Sequence, residues 1–172
     1  AGRGAIALGA GLLAAGCGNP SDAAGWAKRA ASRSRTQEKL EALEQVRKAP
    51  GDRKAAVPFL LEVLKQAPGV RAEAALVLGE IGDPSAVPGL VALADDQAQP
   101  AIVRATALDV LSRYPGRSPL AALQRGLRDR DPMVRHAAVM GQERLPPADR
   151  VVGLAPLLDD PVRAVRIEAA RL

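Results

Sequence analysis

Asp131-Pro132-Met133-Val134-Arg135-His136-Ala137-Ala138 reads as the opening of a helix. Asp is a strong N-cap, Pro is tolerated at the first helical position, and Val134 and Ala138 lie one turn apart on a shared face. Its Val-Arg pair recurs as Val70-Arg71, Val103-Arg104 and Val165-Arg166, at spacings of 33, 31 and 31 residues. Four residues after each Val stands an Ala (Ala74, Ala107, Ala138, Ala169), followed by Ala75, Leu108, Val139 and Ala170. In the first two copies the stripe runs on through Leu78 and Leu111 to Ile81 and Tyr114. These positions share one helical face. Self-similarity at such a period marks a stack of repeated units, each too small to bury its own apolar face.

A first helix precedes each of these second helices. Val57, Val87, Leu120 and Val151 are each followed three residues later by Leu60, Leu90, Leu123 and Leu154. Pro58 and Pro88 place the starts of two of them near residues 55 and 85, because proline suits only the first turn. From each Val-Arg pair to the next anchor the distance is always 17 residues; within a repeat it is 13, 16, 14 and 14. Length variation is thus confined to the intra-repeat loops, the longest around residues 95–100. Gly82-Asp83-Pro84 stops one helix and starts the next, and Asp160-Pro161 should act before a second helix as Asp131-Pro132 does.

Composition agrees with an all-α class. The apolar share of 48% is mostly Ala, Leu and Val, and Trp26, Phe59 and Tyr114 are the only aromatics. Small aliphatic helix formers allow close helix approach, and strand-type runs are missing. The net charge of +5 resides largely before residue 36; from there on 19 basic residues face 18 acidic ones. A nucleic-acid binder would carry its basic excess on the folded body, so no nucleic acid is expected.

The Asp-Pro-Met-Val-Arg-His-Ala-Ala core and its phased copies resemble the bacterial HEAT-like repeat, the type also found in phycobilin lyase subunits. The resemblance covers about residues 53–172 and implies an α-solenoid of four HEAT/armadillo-like two-helix repeats. Residues 36–52, with Leu40, Leu43 and Val46 but no Val-Arg pair, fit a degenerate half-repeat or N-terminal cap. The resemblance also implies that the Arg row (Arg71, Arg104, Arg135, Arg166) is a structural ladder, each Arg meeting an acid of the intra-repeat turn. Asp95 or Asp96, Asp129 or Asp131, and Asp159 or Asp160 supply such acids, whereas the turn at residues 66–69 has none. The second helix opening at Val165 stops at Leu172 without a polar cap, so a truncated stack is expected.

Residues 5–16 form an apolar run, too short to span a bilayer and of the length of a secretory h-region. Leu13-Ala14-Ala15-Gly16-Cys17 resembles the bacterial lipobox, although Ala14 stands where Leu or Val is commoner. That implies a signal peptide over 1–16, a lipidated Cys17, and an exported, lipid-anchored protein of the bacterial cell envelope. Residues 17–35, rich in Gly, Ser, Ala and bases, then read as a flexible tether.

For chemistry the sequence offers little. His136 is the only histidine and Cys17 the only cysteine. A His-based triad or a His/Cys zinc cluster is unavailable in this segment, no phosphate loop follows a strand, and neither cofactor nor enzymatic activity is expected. What remains is a surface. In HEAT solenoids the second helices line the concave side, and their positions opposite the apolar stripe carry Glu73, Leu76, Glu80, Thr106, Asp109, Arg113, Ala137, Met140 and Arg144. Mixed charges beside exposed Leu76 and Met140 suit a protein or peptide partner. A chromophore-handling or other small-ligand subunit is the alternative by fold analogy, with nucleic-acid binding a disfavoured third.

Overall fold

A computed structural model describes residues 22–32 and 35–172. Among them ten α-helices form five consecutive pairs: α1 (Ala23–Ala31) with α2 (Thr36–Lys48), α3 (Val57–Val63) with α4 (Pro68–Ile81), α5 (Val87–Asp95) with α6 (Ala101–Leu111), α7 (Arg117–Gly126) with α8 (Pro132–Gly141), and α9 (Pro147–Leu154) with α10 (Arg163–Arg171). The chain is an α-solenoid. The second helices α2, α4, α6, α8 and α10 stack side by side in one layer, and the first helices cover them. Cys17 and residues 1–16, expected to be a signal peptide, lie outside the described residues.

Local chemistry sets the boundaries. Asp83 accepts from the Ser85 N–H at 2.9 Å and Asp131 from the Met133 N–H at 2.9 Å, each followed by a proline at the first helical position. Gly82, with φ 70°, ends α4 in the left-handed conformation that favours glycine. Asp160 behaves differently from Asp131: α10 begins only at Arg163, and Asp160 accepts from the Val162 N–H at 2.8 Å ahead of it.

The core is the seam between the layers. Val70, Ala74, Leu78, Val103, Ala107, Leu108, Val134, Ala138, Val139 and Val165 are buried along the second helices, against Leu60, Leu90, Leu123 and Leu154 of the first. Small residues sit where helices cross. A Cβ on Gly126 of α7 would meet Leu108 at 2.5 Å and Ala138 at 3.0 Å, so the main chain of α7 rests directly on α6 and α8. Two expected core positions fall outside. Val151 is 63% exposed because Leu154 and Leu157 turn inward in α9 and the 3-10 segment after it, and Ala170 is exposed on α10.

The largest correction concerns the N-terminal region. Residues 23–31, expected within the tether, form α1, capped by Asp22, whose carboxylate accepts from the Gly25 N–H at 2.7 Å. Ala23, Ala27 and Ala30 are buried against α2 and α3. Burial of this small-residue stripe, one methyl at a time, outweighs the composition that suggested a linker. Residues 36–48 are thus the second helix of a complete pair rather than a half-repeat.

Candidate functional site

The outward face of the second-helix layer gathers the residues singled out from sequence, but most of their charges answer one another. Arg47 of α2 donates to Glu73 and, at 2.8 Å, to Glu80, both on α4. Burial alone would lower the Arg47 pKa; the two glutamates more than offset that and raise it. On α6, Arg113 pairs with Asp109 at 2.8 Å, and the Thr106 hydroxyl donates to the Ile102 carbonyl at 2.8 Å. Arg171 of α10 reaches Glu168 at 2.7 Å and Glu143 at 3.5 Å, and its guanidinium lies 3.9 Å from the Met140 sulfur. Leu76 is half-buried, Ala137 likewise, and Met140 is 39% exposed.

Two residues that sequence reasoning missed give this face its apolar character. Ile102 is 56% exposed and Met133 49% exposed, at equivalent positions one residue before Val103 and Val134 on the adjacent helices α6 and α8. Met133, Ala137 and Met140 then share one side of α8, at the i, i+4, i+7 spacing of a helix face. The signal was present in the sequence: a large apolar residue just ahead of the Val-Arg pair in two neighbouring copies.

The Arg row lies deeper, at the intra-repeat turns. Arg104 is 2% exposed and holds Asp129 through two nitrogens, at 2.8 and 3.2 Å, while its third nitrogen donates to the Gln99 carbonyl at 2.6 Å. Arg135 repeats the arrangement on Asp160, at 2.7 and 2.9 Å, and donates to the Asp129 carbonyl at 2.9 Å. Arg166 donates to the Asp160 carbonyl at 2.6 Å. The run Arg104–Asp129–Arg135–Asp160–Arg166 therefore ties three successive units. This corrects the expected direction: Arg104 and Arg135 each take a carbonyl of their own turn and the carboxylate of the following one, 25 residues on. Asp129 and Asp160 also accept from N–H groups two residues later, at 2.8 Å each.

By that register Arg71 should hold Asp96, and it does not. Arg71 donates to the Gln66 carbonyl, and its Nε is buried without a partner. Asp96 is exposed and accepts instead from the Ala98 N–H at 3.0 Å and the Gln99 amide at 2.5 Å. The long loop explains this: eight residues separate Asp96 from Arg104, against six from Asp129 to Arg135 and from Asp160 to Arg166. The extra length lets the loop close on its own aspartate.

Carboxylate pKa values follow the geometry. Burial would raise Asp129, but Arg104, the Asp131 N–H and the Gln97 amide together hold it below the ordinary range. Asp160 is lowered chiefly by Arg135.

Three clefts flank these elements. One of about 470 Å³ lies between the α6–α7 connection and the end of α8, one of about 380 Å³ between α5 and α7, and one of about 540 Å³ between α7 and α9. Among the described residues no three His, Cys, Asp or Glu side chains gather as they would around a metal. No helix among them is long and apolar enough to cross a membrane.

Comparison with known proteins adds three findings. A family profile described as HEAT repeats matches residues 23–101 and again 97–172. A search of curated proteins finds no match. Among solved structures, human deoxyhypusine hydroxylase in complex with glycerol superposes with a TM-score of 0.63 at 26% identity, over 72% of this chain and 43% of that one. This chain thus spans less than half of its structural neighbour's length. The expectation that such a repeat stack is not an enzyme is thereby corrected. A hydroxylase is built on this fold, so the repeats do not argue against catalysis, though 26% identity does not itself assign an activity here.

Proposed function

Because the chain belongs to the HEAT-repeat family, we propose that its repeat scaffold binds a protein or peptide partner along the exposed face of the second helices, and that Cys17 anchors it by lipid to the bacterial cell envelope, facing the periplasm. The observation that carries the partner reading is the patch of Ile102, Met133 and Met140, 56%, 49% and 39% exposed on two adjacent helices. Around it the charged side chains are mostly paired within the protein, so they add little net field. Apolar side chains left in water on a rigid, otherwise satisfied surface favour association, at roughly 25 cal/mol for each Å² covered.

The lipid anchor draws its support from the apolar run and small residues before Cys17. Both parts are tested by expressing the chain in a bacterium with an added initiator Met. The wild type should enter the detergent phase on Triton partitioning and Cys17→Ser should stay aqueous; equal partitioning removes the anchor. After solubilisation, affinity purification should recover a protein in stoichiometric amount. Ile102→Glu with Met133→Glu should lose that protein at an unchanged melting temperature. Recovery of a pigment or nucleic acid, or a partner indifferent to these two changes, would overturn the surface reading.

A further inference from the structure

The second-helix row ends, on α6 and α8, at the cleft of about 470 Å³. Its apolar floor comes from Leu120 and Leu123 of α7 and Leu145 beyond α8, and its rim carries Arg113, Arg117 and Arg144. The volume falls within the range of clefts that enclose a small ligand or a short stretch of peptide. Among the described residues, two of its three arginines lack an acidic partner. Arg113 is matched by Asp109 at 2.8 Å, but Arg117 and Arg144 are exposed and meet no carboxylate among the described residues. The nearest acid in sequence to Arg144, Glu143, is engaged by Arg171 at 3.5 Å. Two unmatched guanidiniums thus line the same cleft as Leu120, Leu123 and Leu145.

We propose that this cleft takes an extended peptide segment in which adjacent apolar side chains are flanked by Asp or Glu. The apolar side chains would cover Leu120, Leu123 and Leu145, and the carboxylates would pair with the forked donors of Arg117 and Arg144. A single-stranded nucleic acid would need aromatic faces for stacking. Tyr114 cannot supply one: it is 7% exposed and its hydroxyl is committed to the Leu78 carbonyl at 2.7 Å. This inference deepens the partner reading and rests on it, since Arg113 and Arg144 close the row.

The test uses the full chain and an array of fluorescent eight-residue peptides, each with two adjacent apolar residues among four Asp or Glu, read by anisotropy. Members of the array should bind. Arg117→Glu with Arg144→Glu should weaken them at least tenfold at an unchanged melting temperature, and Leu145→Asp should weaken them through the floor. Peptides with Lys in place of the acids, or Ser in place of the apolar pair, should bind at least tenfold more weakly. No binding across the array, equal binding of the Lys peptides, or indifference to the double Arg variant overturns the cleft. The Ile102/Met133 variant separates the two readings. If it keeps the purified partner while the Arg variant loses the peptides, the cleft stands and the helix-face patch falls; the converse pattern does the reverse.

Discussion

Arg104 and Asp129 form a bidentate pair across two repeat units, with side chains 2% and 4% exposed. Both nitrogens of the fork are met, and the remaining capacity of the carboxylate is taken by the Asp131 N–H and the Gln97 amide. A buried ion pair of this kind is stable only because every polar atom in it is satisfied.

Removing one member leaves the other buried and unpaired. Arg104→Ala should therefore destabilise by about 3–5 kcal/mol, the range for breaking a buried pair. Arg135→Ala should cost less, because Arg135 is 12% exposed and water can reach it. Arg71→Ala should cost least, about 0.5–1.5 kcal/mol for its one hydrogen bond. Denaturant melts of the three variants check the order; Arg71→Ala matching Arg104→Ala would sink the account of the ladder.

The same pairs set a pH dependence. Asp129 and Asp160 have folded pKa values below the unfolded value of about 3.9. Their contribution is complete above that unfolded value and is lost as pH falls through the lower, folded values. The melting temperature should hold level from about pH 7 to 5 and drop below about pH 4. Arg104→Ala combined with Arg135→Ala should flatten the acid limb. A wild-type melting temperature already falling between those neutral and mildly acidic values would point to another group.

At the N-terminal end, Ala27 is fully buried between α1 and its neighbours. Ala27→Asp should lower the melting temperature by several degrees, and amide exchange at residues 23–31 should be slowed in the wild type and fast in the variant. A tether would show fast exchange in both.

These elements show what the sequence made legible. The Val-Arg phase was readable because Val70, Val103, Val134 and Val165 keep one period and are all buried. Helix α1 was not, because its stripe is only Ala23, Ala27 and Ala30, and alanine marks a buried face as weakly as it marks a linker. The Arg row was visible but its direction was not. Asp129 and Asp160 lie near Arg135 and Arg166 in sequence, and only the stacking shows that their carboxylates serve Arg104 and Arg135 of the preceding units. Ile102 and Met133 escaped because the face was counted from the Val onward, one residue too late.

The gap at Arg71 and Asp96 has a mechanical side. Where α4 meets α6 the turn-side clasp is open, while at the far ends of the same helices the Tyr114 hydroxyl pins the Leu78 carbonyl at 2.7 Å. The units from α5 to α10 are riveted along their turns, whereas the joint between α4 and α6 lacks that tie. The turn-side ends of α4 and α6 should therefore part more readily than the ends that Tyr114 joins.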